Sequence, residues 1–217
     1  MVQSSVLERP RERLLSKGAQ TRDRILDVAE AAVLNKGFAA TSIDEILFDA
    51  GLTKSGFFYH FRDKNDLALG LLERFRVQNL SVFEDIFDRA GELNEDPLHA
   101  FLVGLKLLAE TLADVQAARP GCLVASFVYQ DQQYDARVRA VIVDVTLVWR
   151  GQFLARLEAI ADVYPPRVEI DLQDLADMLT TIIDGGIILS KTLREPQIMA
   201  RQVLAYRAFA RAVFLGA

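Results

Sequence analysis

At 217 residues, 51% of them hydrophobic, the chain is long enough to bury a sizeable core, as one large domain or a small one joined to a larger one. A net charge of −5 excludes a protein that coats nucleic acid through bulk positive charge; the single cysteine, Cys122, excludes an internal disulfide, and with only His60 and His99 beside it no zinc-site spacing arises, so neither metal nor cofactor is expected. Charges interrupt the opening MVQSSVLERPRERLL where a secretion signal needs an apolar run, and no segment offers eighteen uncharged apolar residues, so a cytoplasmic protein with no membrane partner is expected.

Residues 1–18 read as a flexible basic arm. From Arg9 to Arg24 six basic residues face two acidic ones, so an anionic partner is expected near this end. The arm either reaches a DNA groove or backbone or is a solvated tail. From Thr21, the apolar positions Ile25, Val28, Ala29, Ala32 and Val33 predict a first helix that stops at Asn35–Gly37. Ser42 with Glu45 forms a capping box that opens a second, two-turn helix ended by Gly51. Thr53 caps a third short helix to about Phe61, and Asp63 caps a fourth from Lys64 to about Asp88. Asp96 and Pro97 open a fifth helix to about Val115, and Cys122 to Gln130 reads as a sixth. A long helix follows from Tyr134 to about Asp162 until the tandem prolines of YPPRVEID break it. Asp171 opens the eighth helix and Pro196 the ninth, which reaches Leu215. No strand alternation is sustained. The fold class is therefore all-α: residues 19–64 as a small three-helix head, and residues 65–217 as a larger helical body, about nine helices in total.

The stretch AGLTKSGFFYHF, Ala50 to Phe61, concentrates aromatics behind a helix-ending glycine. Two short helices joined by AGL have the spacing of a helix-turn-helix, whose second helix enters a major groove. Phe57 and Phe61, four apart, are expected to anchor the third helix on Ile46 and Leu52, leaving Lys54, Ser55, Gly56, Tyr59 and His60 outside. Lys54 suits guanine or phosphate, Tyr59 and His60 suit phosphate oxygens, and Lys64 and Ser42 stand at helix starts that favour anions. Gly56 forgoes helix propensity, which makes sense where a helix must approach its partner closely. The same spacing also suits a plain aromatic core in a protein that never touches DNA.

Over about 55 residues, from TRDRILDVAEAAVLNKGF through TSIDEI, AGLTKSGFFYHF and DKNDL, the chain closely resembles the N-terminal domain of TetR/AcrR-family transcriptional regulators. The resemblance implies double-stranded operator DNA as partner, contacted by Ser42, Lys54, Ser55, Gly56, Tyr59, His60 and Lys64. Phe58 stands where the family most often has a phosphate-binding tyrosine, so that hydroxyl is missing, and the residues leave open whether Tyr59 replaces it.

The resemblance further implies that the larger body binds a small-molecule effector and forms a homodimer, with the last two helices as the natural interface. Gly185 and Gly186 would permit close helix crossing, and Asp184 belongs either to a pocket or to its rim. Phe101, Leu105, Cys122, Phe127, Trp149, Phe153, Met178 and Ile182 are candidate lining residues, and the scarcity of charge on these faces favours a small, largely apolar effector. Cys122, at a helix start, is either a reactive thiol with a lowered pKa, which would make the protein a redox or electrophile sensor, or an inert buried one. A ligand-responsive repressor is the leading expectation, and a helical interaction protein without operator binding is the alternative. Neither histidine has a nucleophile or carboxylate at a recognisable spacing, so an enzyme is not expected.

Overall fold

A helix start leaves backbone N–H groups without partners, and in this chain short polar side chains take them up. The structure, a computed structural model, describes residues 16–118, 121–128 and 134–216. Ser16 Oγ accepts from the Ala19 N–H and opens α1 (Lys17–Lys36), four residues before the expected start. Lys17 and Gly18, expected in the arm, are thus helical, while residues 1–15 lie outside the described residues. Ser42 accepts from the Glu45 N–H at 3.2 Å and opens α2 (Ile43–Ala50). The Glu45 carboxylate completes the capping box by taking the Ser42 N–H, and it also binds the Lys36 ammonium. Gly51, left-handed at φ 62°, ends α2, and Thr53 caps α3 (Lys54–His60).

Asp63 caps α4 (Lys64–Leu93), which runs five residues past its expected end. At 1.5 Å per residue its 30 residues span about 45 Å. Asp96 accepts from the His99 N–H at the start of α5 (Pro97–Ala118). Then follow α6 (Leu123–Val128), α7 (Ala136–Ala161), α8 (Leu172–Leu193) and α9 (Gln197–Leu215). The proline-rich connection between α7 and α8 is pinned at two points: the Tyr164 hydroxyl donates to Asp96, and the Arg167 N–H donates to the Val213 carbonyl at 2.8 Å. Among the described residues there are nine α-helices and no strand, and no helix is long and apolar enough to cross a membrane.

Two apolar cores result. One joins α1, α2 and α3 to the first part of α4, ending at Leu72, and takes in Leu123 and Phe127 of α6 and Val138 and Ile142 of α7. The other fills the space among the rest of α4, α5, the end of α7, α8 and α9. Both α4 and α7 therefore contribute to both cores. Gly70 lets α4 pass close under the head, because a Cβ there would stand 2.9 Å from the Phe61 ring. Gly186 does the same between α8 and α9, where a Cβ would meet the Met199 backbone at 3.0 Å. Gly185, in contrast, has nothing within 4 Å of such a Cβ.

Candidate functional site

The seven residues of α3 are too few for a helix to be stable alone in water, so its position is set by what it buries. Phe57 is 0% exposed and Phe61 2%, against Ile46 of α2, with Leu52 packed at the edge, as the four-residue spacing predicts. Fully burying one such ring is worth about 2–3 kcal/mol. The two rings lie with centroids 5.6 Å apart, and the Arg22 guanidinium covers the Phe61 ring at 5.1 Å. The turn before α3 is closed by the Leu52 N–H donating to the Leu47 carbonyl at 2.9 Å.

On the outer side, Lys54, Ser55 and Tyr59 are exposed, and Gly56 and His60 are half-buried. Tyr59 is 82% exposed and stands edge-on to the His60 ring. The Lys54 ammonium is 3.1 Å from the Asp44 carboxylate, in a pair so exposed that it is worth little and is readily exchanged for another anion. Ser55 Oγ is 3.0 Å from Thr53 Oγ1. Exposed Ser42 uses its oxygen as the α2 cap and keeps its O–H as a donor.

Lys64 is differently engaged. Its ammonium donates to the Ala39 carbonyl at 3.2 Å and sits 4.6 Å over the Phe38 ring, and burial there lowers its pKa. Five of the seven predicted contact residues thus gather on α3, with Ser42 and Lys64 at the starts of flanking helices. Phe58 is 50% exposed beside Phe57. Phe48, not singled out from the sequence, is 86% exposed on α2. Its position was legible, because the stripe Ile43, Ile46, Leu47, Ala50 leaves residue 48 on the opposite side.

In the body, a cavity of about 150 Å³ opens among α4, α5, α7 and α8 and the segment Gly121–Val124. Of the predicted lining residues, Cys122, Trp149 and Phe153 border it. The others do not. Phe101 and Leu105 are sealed in the body core, Phe101 stacked on Phe87, and Ile182 packs against that same core. Phe127 belongs to the head's core, in a cluster with Phe38 and Tyr134, and Met178 faces outward from α8. Sequence reading missed Phe75 and Asn79, one turn apart on α4, and Gln116, whose amide pairs both ways with the Gly121 backbone at 3.2 Å. Asp184 lines the cavity and is exposed, and the protein packed around its carboxyl raises its pKa. A second cavity, of about 350 Å³, shares Phe75, Asn79, Leu112 and Trp149 with the first and reaches Glu30 and Leu34 of α1.

Of the two readings of Cys122, its surroundings favour the inert one. Burial, and after it the charge of Asp184, raises the Cys122 pKa, and the two N–H groups of α6 that point at the sulfur do not reverse this. A protonated thiol is a poor nucleophile.

A small helical head followed by a larger helical bundle is a layout that solved structures share. A sequence model of bacterial regulatory proteins of the tetR family matches residues 25–71, which span the helix-turn-helix and the first two turns of α4. The chain belongs to the TetR/AcrR family of transcriptional regulators. It is 25% identical to the HTH-type transcriptional repressor BepR of Brucella suis over 80% of this chain and 81% of that protein. To the HTH-type transcriptional regulator AcrR of Shigella flexneri it is 44% identical over 48 residues, 22% of each chain. The crystal structure of a TetR-family regulator from Agrobacterium tumefaciens superposes with a TM-score of 0.77 over 91% of this chain and all of that one, at 15% identity, so the fold agrees throughout. This TetR-family regulator therefore binds DNA through α2 and α3 and belongs to a family that is not enzymatic.

Proposed function

We propose that the protein is a one-component repressor: a homodimer holds a palindromic operator through two copies of α3, and a small, largely apolar molecule entering the body releases it. The observation that carries this reading is the surface of α3, where exposed Lys54, Ser55 and Tyr59 flank Gly56 above a fully buried Phe57. Lys54 donates to a guanine edge or a phosphate, Ser55, Tyr59 and His60 donate to the backbone, and Gly56 admits the helix deeply. Ser42 adds an N–H-rich helix start on one side. Lys64 adds a cation on the other, once it leaves the Phe38 ring. Residues 19–64 are the reading head and residues 65–217 the effector-binding and dimerising body, with α4 as the beam between them.

The outer faces of α8 and α9 support a dimer: Met178, Ile188, Leu189, Leu204 and Phe209 are exposed there, and Gly185 leaves room for a close second copy. Such a dimer sets two heads about one DNA turn apart. The Brucella suis relative is a transcriptional repressor, which supports repression here. Release follows if the effector shifts α4, since Phe75 and Asn79 line the cavity and Lys64 begins the same helix. Coupling is reciprocal, so operator DNA must weaken effector binding by the same factor.

A mobility shift on the duplex upstream of the protein's own coding sequence tests the reading. The repressor reading expects a shift with wild type that weakens at least about tenfold in Lys54→Ala and Tyr59→Ala. No shift in any version refutes it.

A further inference from the structure

We propose that the cavity selects a small organic cation, an aromatic amine or quaternary ammonium, through Asp184 and the rings around it; this deepens the effector reading above and rests on it. The cavity is walled mainly by apolar side chains, with the amides of Asn79 and Gln116 and the hydroxyls of Thr146 and Thr180 as neutral polar groups. Asp184 is its one charged lining residue among those described, and no Lys or Arg lines it. The adjoining cavity has the same sign: its charged lining residue is Glu30, which is held by Arg74.

Asp184 differs from its neighbours in having no counter-charge. About two turns earlier on α8, Asp177 takes a two-pronged hydrogen bond from Arg150, at 2.6 and 2.7 Å. Among the described residues Asp184 forms no ion pair and no hydrogen bond, although the packed protein partly strips its carboxylate of water. Exposed on the border of an apolar cavity with no cation of the protein beside it, this carboxylate is placed to pair with a positive group bound there. Its field reaches into the cavity wall, where it helps to keep Cys122 protonated.

The rings point the same way. Phe75, Trp149 and Phe153 border the cavity, and aromatic faces attract cations in addition to packing against apolar groups. An effector bearing a carboxylate or phosphate would meet Asp184 with like charge. A neutral hydrocarbon would shield the carboxylate from water and leave it unpaired. Only a ligand with an apolar body and one positive centre satisfies the wall and Asp184 together.

Isothermal titration of the full chain with 1-naphthylmethylammonium and its neutral counterpart 1-naphthylmethanol tests this. Wild type is expected to bind the cation at least about tenfold more tightly than the alcohol. In Asp184→Asn and Asp184→Ser, each checked by thermal melting for an intact fold, the two probes should bind within about threefold of each other, and Asp184→Glu should restore a preference. Equal or tighter binding of the alcohol to wild type overturns the cation proposal while leaving the cavity as an effector site. A preference that survives in both neutral variants overturns the role of Asp184. If neither probe binds wild type, the cavity reading falls and the cation proposal falls with it.

Discussion

Gly56→Ala separates what the fold needs at the centre of α3 from what DNA needs there. A Cβ at this position would meet Thr53 Oγ1 at 3.5 Å and Leu52 Cδ2 at 4.0 Å, both ordinary contacts, and the backbone has no left-handed angle that alanine would strain. Inside the protein nothing demands glycine. Replacing it in a helix should therefore stabilise the fold by about 0.5–1 kcal/mol, and in a chain of this size that raises Tm by roughly 1–4 °C. Against DNA the same methyl group stands on the approaching surface, between Lys54 and Tyr59, and holds the helix away from the groove. Every contact made by its neighbours lengthens at once, so affinity should fall at least about tenfold, or about 1.4 kcal/mol. Differential scanning calorimetry gives the first quantity, and fluorescence anisotropy on the upstream duplex at fixed salt gives the second. A more stable variant that binds as tightly as wild type would refute the close-approach argument, and a lower Tm would refute the packing argument beneath it.

Gly104→Ala should destabilise, because its Cβ would stand 2.5 Å from the buried Phe87 ring; overpacking of this kind costs about 1–3 kcal/mol, read as a lower urea midpoint, whereas Gly91→Ala, with open space around it, should not lower the midpoint. Asp96, held by the Tyr164 hydroxyl and the His99 N–H, has its pKa lowered from 3.8 to about 2, so its stabilising contribution is complete above the unfolded value and is lost as pH falls towards 2. That contribution is at most about 2 kcal/mol, and Asp96→Asn should lower stability at pH 6 and flatten its decline between pH 5 and 3 in urea titrations. Cys122 should alkylate more slowly than a free cysteine at pH 7.5, and peroxide should not alter DNA binding in a mobility shift; fast modification or peroxide-driven release would reverse the assignment of an inert thiol.

The head was legible because its determinants are local. Ser42, Thr53 and Asp63 each cap the helix that follows within three residues, Gly51 ends α2, and the spacing of Phe57 and Phe61 alone decides which side of α3 is buried. What the local signals left out is where the head stops. Its core includes Leu67 to Leu72 of α4 and, from far along the chain, Phe127 and Val138, and no pattern around residue 64 announces such partners. The α1 start was missed because a serine cap before a polar first turn has no apolar stripe to mark it, and the α4 end because Gly91 reads as a stop yet lies in open space within the helix.

The cavity was far less legible, and for a physical reason. An aromatic side chain on an amphipathic helix carries the same sequence signature whether it meets another side chain or a void. Phe101 and Phe153 both fall on buried stripes, yet one is stacked on Phe87 and the other edges the cavity. The choice depends on the helix opposite, hence on crossing positions set by residues such as Gly104 and Gly186, whose missing side chains let neighbours close in. Where α5 and α9, or α8 and α9, approach closely, the intervening rings become core; where α4, α7 and α8 diverge around Trp149, space remains. Polar residues are the better guide under these conditions. Asp184, which the sequence leaves either in a pocket or at its rim, stands exposed on the border of the cavity, where it marks the opening that the aromatic stripes do not.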